Sequence, residues 1–216
     1  MRKTSALLTR ERILQAGLDI LDEQGMGGLS MRKLAARLGV EAMSLYNHVK
    51  DKRDLLNGMA DLVLSQIELP DPLQAWERRL ETIAIQLYEA LMRYPGLAMF
   101  LVTEQSLPRG RKIMQGIDGM MAALDEAGLD PVQQVNAYRG LLAMCFGFVF
   151  MHTVGMTRTL QQAQAEWDQW DSSQWDADTL PNLARLAPSF TQTHAADDIQ
   201  FMLRAYIKYL QNIQPI

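Results

Sequence analysis

Residues 28–56 read Gly28-Leu29-Ser30-Met31-Arg32-Lys33-Leu34-Ala35-Ala36-Arg37-Leu38-Gly39-Val40-Glu41-Ala42-Met43-Ser44-Leu45-Tyr46-Asn47-His48-Val49-Lys50-Asp51-Lys52-Arg53-Asp54-Leu55-Leu56, and the punctuation of this stretch decides the fold. Ser30 is an N-cap for a helix over Met31 to Leu38, Gly39-Val40-Glu41 is a tight turn, and Ala42 to Val49 forms a second helix of about two turns. Asp51 then caps a longer helix. Two short helices joined by a glycine-containing turn can lay one helix across a DNA backbone and send the next into the major groove. Leu34, Ala35, Leu38, Val40 and Leu45 hold the pair together, which turns Met43, Ser44, Tyr46, Asn47 and His48 toward other surfaces.

Upstream, Thr9 caps a first helix whose Ile13, Ala16, Gly17, Ile20 and Leu21 share a face, and Gly25 stops it. Downstream, Leu55, Leu56, Met59, Leu62 and Val63 line one side of a fourth helix, and Pro70-Asp71-Pro72 marks a boundary. The stripe Leu73, Trp76, Leu80, Ile83, Leu87, Leu91 runs to a corner at Tyr94-Pro95-Gly96. Helices over about 97–105, 109–127 and 131–155 follow, the last opened by Asp130-Pro131. The stretch 157–180, with Trp167, Trp170 and Trp175, is looser, and a last helix covers 197–213. No segment alternates apolar and polar residues for long enough to be a strand. The expected fold is all-α: a three-helix helix-turn-helix domain over 1–56, a connecting helix and linker over 57–72, and a helical effector-binding and dimerisation domain over 73–216.

Charge is divided unevenly along the 216 residues. The net charge is −4, yet residues 1–56 carry ten basic groups against seven acidic ones, leaving +3 at the head and −7 on the rest. Such a chain presents one end to phosphates and keeps the other off them. The single cysteine, Cys145, cannot form an intramolecular disulfide. The segment Met1-Arg2-Lys3-Thr4-Ser5 lacks the apolar run of a signal peptide, so a cytoplasmic setting is expected. The most apolar window, Gly140 to Met156, contains three glycines and His152 and reads as a buried helix, not a membrane span.

The string Gly28 to Val40, continued by Leu45-Tyr46-Asn47-His48-Val49-Lys50-Asp51-Lys52-Arg53-Asp54-Leu55-Leu56, resembles the DNA-binding domain of the tetracycline-repressor (TetR) family over roughly residues 10–60. The resemblance implies that Arg32 reads a base from the first short helix; a guanidinium is bidentate to the O6 and N7 acceptors of guanine. It implies that Ser44, Tyr46 and His48 contact phosphates or bases, and that Lys52 binds a phosphate at the start of the fourth helix. Ala42, Met43 and Asn47 fall at variable positions, where Met43 suits a thymine methyl and Asn47 an adenine edge or a phosphate. Beyond residue 70 the likeness to tetracycline repressors proper is weaker. Where that subgroup places histidines for the drug and its magnesium ion, this chain has Glu68 and a residue near Leu101, and an asparagine position becomes Ile83. Neither tetracycline, nor a metal, nor any other cofactor is expected.

What remains is an apolar effector pocket, for which Leu87, Tyr88, Met92, Phe100, Met114, Ile117, Met121, Met144 and Phe148 are candidates, with Gln86 and His152 as polar anchors. The helix 131–155 and the last helix, 197–213, are apolar over more than one face, and Gly140, Ala143 and Gly147 would admit a partner helix. The family resemblance implies a homodimer built as a four-helix bundle, which would read a near-palindromic double-stranded operator. No catalytic or metal-ligand spacing appears, so an enzyme is not expected. The expected function is a ligand-responsive transcriptional regulator, a repressor released from its operator by a small, largely apolar effector. The alternatives are a nonspecific or architectural DNA-binding protein, which would carry more positive charge, and a helical small-molecule-binding protein without operator specificity.

Overall fold

A computed structural model describes residues 7–104, 110–153, 178–190 and 195–213. They form α1 (Arg10–Gly28), α2 (Met31–Leu38), α3 (Ala42–Leu45), α4 (Lys52–Leu64), α5 (Trp76–Arg93), α6 (Pro95–Thr103), α7 (Arg111–Glu126), α8 (Pro131–Thr153), α9 (Pro181–Phe190) and α10 (Ala195–Leu210). There is no strand among the described residues, and no helix among them is long and apolar enough to cross a membrane.

The expected caps are in place. The side-chain oxygen of Thr9 accepts the Arg12 N–H at 3.3 Å, that of Ser30 the Lys33 N–H at 3.2 Å, and that of Asp51 the Asp54 N–H at 2.8 Å. Each satisfies a donor that the helix cannot pair internally. Gly39, at φ 68°, closes α2 in the left-handed region, where an L side chain would be strained. The reversal it makes sets the angle of the helix-turn-helix. Gly25, at φ 64°, breaks α1, but the chain recovers one further helical turn before Leu29.

The sequence reading needs correction at four places. The second short helix closes at Leu45, not Val49; residues 46–48 continue as a turn held by Tyr46 N–H to Met43 O and His48 N–H to Leu45 O. These three-residue bonds suit Tyr, Asn and His, which sustain an α-helix poorly. Leu73 is not part of the α5 stripe. The Asp71 carboxylate accepts the Leu73 N–H at 2.9 Å, and the turn leaves Leu73 93% exposed. The helix α9 was unexpected; Pro181 starts it as a first-turn proline, whereas Pro188 reads in sequence as a breaker. The last helix is displaced to Ala195–Leu210. Trp167, Trp170 and Trp175 lie outside the described residues, as does the expected end of α8 beyond Thr153.

Two apolar cores result. One joins Ile13 and Leu18 of α1, Leu34 of α2, Leu45 of α3, and Leu55 and Met59 of α4, and it also contains Tyr94 and Leu97 from the α5–α6 corner. The other joins Leu80 and Ala84 of α5, Leu124 of α7, Leu141 and Cys145 of α8, and Leu203 of α10, together with Ala60 of α4 and Leu101 of α6. Helices α4 and α6 thus contribute to both, and Phe100 packs against each. Fully burying one such side chain stabilises by roughly 1.5–3 kcal/mol, so neither core tolerates a displaced α4 cheaply.

Glycines set the closest approach. A Cβ on Gly17 would lie 2.8 Å from Met59 Sδ, and one on Gly58 would lie 2.8 Å from Leu14 Cδ2, so α1 and α4 touch through reciprocal small residues. Gly140 behaves similarly inside the protomer. Its Cβ would meet the Tyr206 hydroxyl at 2.8 Å, and that hydroxyl donates to the Ala137 carbonyl at 2.7 Å. Gly140 therefore admits α10 of the same chain instead of a partner helix.

Candidate nucleic-acid interface and ligand cavity

The head's outward surface follows from which residues its core consumes. Leu45 and Val49 are buried at 0% and 1%, which rotates the opposite side of α3 and the following turn into solvent. Met43 is 75% exposed and Tyr46 44% exposed, costly positions for apolar surface unless something covers it. Asn47 is exposed beside them, while Ala42, Ser44 and His48 are half-buried. Arg32 is exposed on the first turn of α2, and Lys52 is the exposed first residue of α4.

Cations in this region fall into two groups. Arg10 forks onto the Asp54 carboxylate at 2.8 and 3.0 Å and also donates to the His48 carbonyl at 2.7 Å. Arg37 forks onto Glu23 with two bonds of 2.7 Å. The Arg10 hydrogen bonds hold the Asp54 carboxyl below its ordinary value. Asp54 also accepts the Lys50 N–H at 2.8 Å, so a single carboxylate fixes the turn that follows α3. Arg32 and Lys52, by contrast, have no ion pair among the described residues. Their charge is available to a ligand.

Behind the head lies a cavity of about 900 Å³. Leu64 of α4 and the following Ile67 form one wall, Ile83 and Leu87 of α5 the floor, and Leu101 of α6, Ile117 of α7 and Leu142 of α8 the remainder. Three of the eleven pocket residues expected from sequence, Leu87, Met114 and Ile117, line it. Met92, Phe100, Met121, Met144 and Phe148 instead pack, partly buried, against the second core, and Tyr88 is buried within it. The His152 side chain lies outside the described residues. Gln86 braces the wall from behind: its Oε1 accepts the Glu68 N–H at 2.8 Å and its Nε2 donates to the Glu68 carbonyl at 3.2 Å. Tyr138, Phe146 and Lys112 line the cavity and were missed. The available signal was the spacing Tyr138, Leu142, Phe146, a helical stripe two residues out of phase with Met144, Phe148 and His152.

Among the described residues no group of three or more His, Cys, Asp or Glu side chains comes together as metal ligands. Cys145 is buried, donates to the Ala84 carbonyl at 3.7 Å, and has its thiol pushed by burial up to about 12. It is a core residue and a poor nucleophile.

Head and cavity together define an all-helical protein with a helix-turn-helix at one end and a ligand-sized apolar chamber behind it. Residues 13–59 match the family described as bacterial regulatory proteins, tetR family, and residues 69–206 match the tetracyclin repressor-like C-terminal domain. The chain belongs to the tetR family of bacterial regulatory proteins. It is 33% identical to the HTH-type transcriptional repressor DrrR1 of Streptomyces coeruleorubidus over 188 residues, 84% of this chain and 65% of that protein. It is 41% identical to the class D tetracycline repressor of Escherichia coli over 92 residues, 41% of this chain and 42% of that one. The chain thus spans less than two thirds of the length of these relatives. Apo ActR from Streptomyces coelicolor has the same fold, with a TM-score of 0.82 at 27% identity over 95% of this chain and 96% of that one. ActR in complex with actinorhodin gives 0.79 at 27% identity over 95% and 97%.

Proposed function

We propose that this protein is a ligand-responsive transcriptional regulator, a repressor that leaves a palindromic operator when a small, largely apolar effector enters the 900 Å³ cavity. The observation that carries this reading is the double membership of α4 and α6. Leu64 and Leu101 line the cavity, while Leu55 and Met59 of α4 and Leu97 of α6 sit in the head's core. Arg53 near the start of α4 also bonds to Glu104 just past α6, with Nη2 to the Glu104 carbonyl at 3.4 Å and Nε to its carboxylate at 3.8 Å. An effector that bears on one end of these helices biases the other. Coupling of this kind is typically ~1–3 kcal/mol, about 5–150-fold in operator affinity, and requires no unfolding.

In this reading residues 1–56 bind DNA through Arg32, Ala42, Met43, Ser44, Tyr46, Asn47, His48 and Lys52, residues 57–72 connect, and residues 73–216 bind the effector and dimerise. The dimer forms through α8 and α10. Val132, Val135, Phe150, Phe201, Met202 and Tyr209 are apolar and exposed there, and a partner's matching helices would cover them. The protein acts in the cytoplasm as a regulator and not as an enzyme. The test is selection of random duplex DNA by the purified protein, followed by titration against scrambled duplexes. A recovered palindrome bound far more tightly than the controls is expected; equal affinity for all duplexes would overturn operator specificity.

A further inference from the structure

Among the described residues the cavity's polar groups are few: every side chain lining it is apolar except Lys112 and Tyr138. Both are donors at neutral pH, and no carboxylate lines the cavity among the described residues. Burial pushes the Tyr138 phenol above its ordinary value, so it offers a proton and not a negative charge. No hydrogen bond or ion pair joins the Lys112 ammonium or the Tyr138 hydroxyl to another group of the chain among the described residues. Lys112 is exposed and sits on the first turn of α7, which has no acidic residue. The backbone end of that helix is already engaged, since the Gly110 N–H donates to Asp61 at 3.3 Å. Among the described lining residues the lysine side chain is therefore the group that presents charge to the cavity.

We infer that the effector is an amphipathic anion: an apolar body that lodges in the cavity, carrying an acidic group that stays at the mouth against Lys112. This rests on the cavity being the effector site. The physical reason is the division of the site. An ionised group carried into the apolar interior would lose its hydration with no partner to replace it. At the mouth it keeps water and gains the ammonium of Lys112, a lining residue whose aliphatic stem can rest on apolar surface. Exposed Leu69, Val102 and Met114 also line the cavity and extend apolar contact to its rim. A cationic molecule of the same shape meets a like charge and, among the described residues, no carboxylate to pair with.

The test uses two fluorescent probes that share a ring system and differ by one charge, anilinonaphthalene sulfonate and its uncharged parent N-phenylnaphthylamine, titrated into the intact protein. The sulfonate binds more tightly to wild type. Lys112→Met, which keeps the stem, weakens the sulfonate about tenfold, equivalent to 1.4 kcal/mol, and leaves the neutral probe unchanged. Lys112→Arg restores the preference. Ala143→Trp, which places an indole in the cavity lining, weakens both probes, with retained helicity by circular dichroism showing that each variant is folded. Equal affinities, or a Lys112→Met effect common to both probes, would overturn the anionic class while leaving the cavity as the site. Binding of both probes unmoved by Ala143→Trp would overturn the effector site itself.

Discussion

The Arg10–Asp54 clamp makes a prediction whose size can be worked from its geometry. Asp54 accepts two bonds from the Arg10 guanidinium, at 2.8 and 3.0 Å, and one from the Lys50 N–H at 2.8 Å. Sheltered bonds to charged groups are worth about 1.5–3 kcal/mol each. Here the two side chains are 42% and 28% exposed, so solvent screens the ion pair to about 1 kcal/mol. Adding the backbone bond, Asp54→Ala should cost about 2 kcal/mol in urea denaturation, and a double-mutant cycle with Arg10→Ala should return a coupling of about 1 kcal/mol. Acid titration supplies a second reading. Folding depresses the Asp54 carboxyl below its ordinary value of 3.8. Its contribution is complete above that value and is lost as pH falls through the depressed one, so wild type must lose stability more steeply below 3.8 than Asp54→Ala does. A coupling within about 0.3 kcal/mol of zero, or parallel acid profiles, would refute the clamp as the device that fixes the turn after α3.

Gly58→Ala should destabilise by about 1–3 kcal/mol in the same denaturation assay, although alanine is the better helix former by about 1 kcal/mol, because its Cβ would meet Leu14 Cδ2 at 2.8 Å. In operator titrations Arg32→Ala should cost ~1–3 kcal/mol and relax discrimination at one base pair, whereas Lys52→Ala should weaken all duplexes alike and flatten the salt slope; the reverse pattern would interchange their roles. Cys145, with its thiol near 12 and no exposed surface, should resist a thiol-disulfide reagent at pH 8 until denaturant is added. Rapid labelling of the folded protein would show that α8 opens.

The head was legible because its signals are local. Caps at Thr9, Ser30 and Asp51 and a left-handed glycine at position 39 each act within four residues, so the sequence carries them without knowledge of the rest. The misjudged end of α3 is local too: a turn of helix and a turn of three-residue bonds share the same inward residues, Leu45 and Val49. The cavity is another matter. Helix α8 is apolar over more than one face, and its stripe through Tyr138, Leu142 and Phe146 looks no different in sequence from the one through Met144, Phe148 and His152. Only the packing of α5, α7 and α10 decides which stripe faces the chamber and which faces neighbouring side chains. Gln86 shows the same limit, since a lone amide on an apolar helix reads as a ligand anchor until the backbone of Glu68 is seen against it.

Tyr94 and Leu97 belong to the core of the head, although they follow Pro70-Asp71-Pro72 by more than twenty residues. A chimera that joins this head to a relative's sensing half at the proline pair would inherit a foreign corner in the head's core, beside Met26, which a Cβ on Gly96 would meet at 3.0 Å. Exchange of specificities between such proteins is then governed by whether the new corner fits that hole. A transplanted head should be accompanied by its own Tyr94-Pro95-Gly96-Leu97, grafted into the recipient as a matched patch.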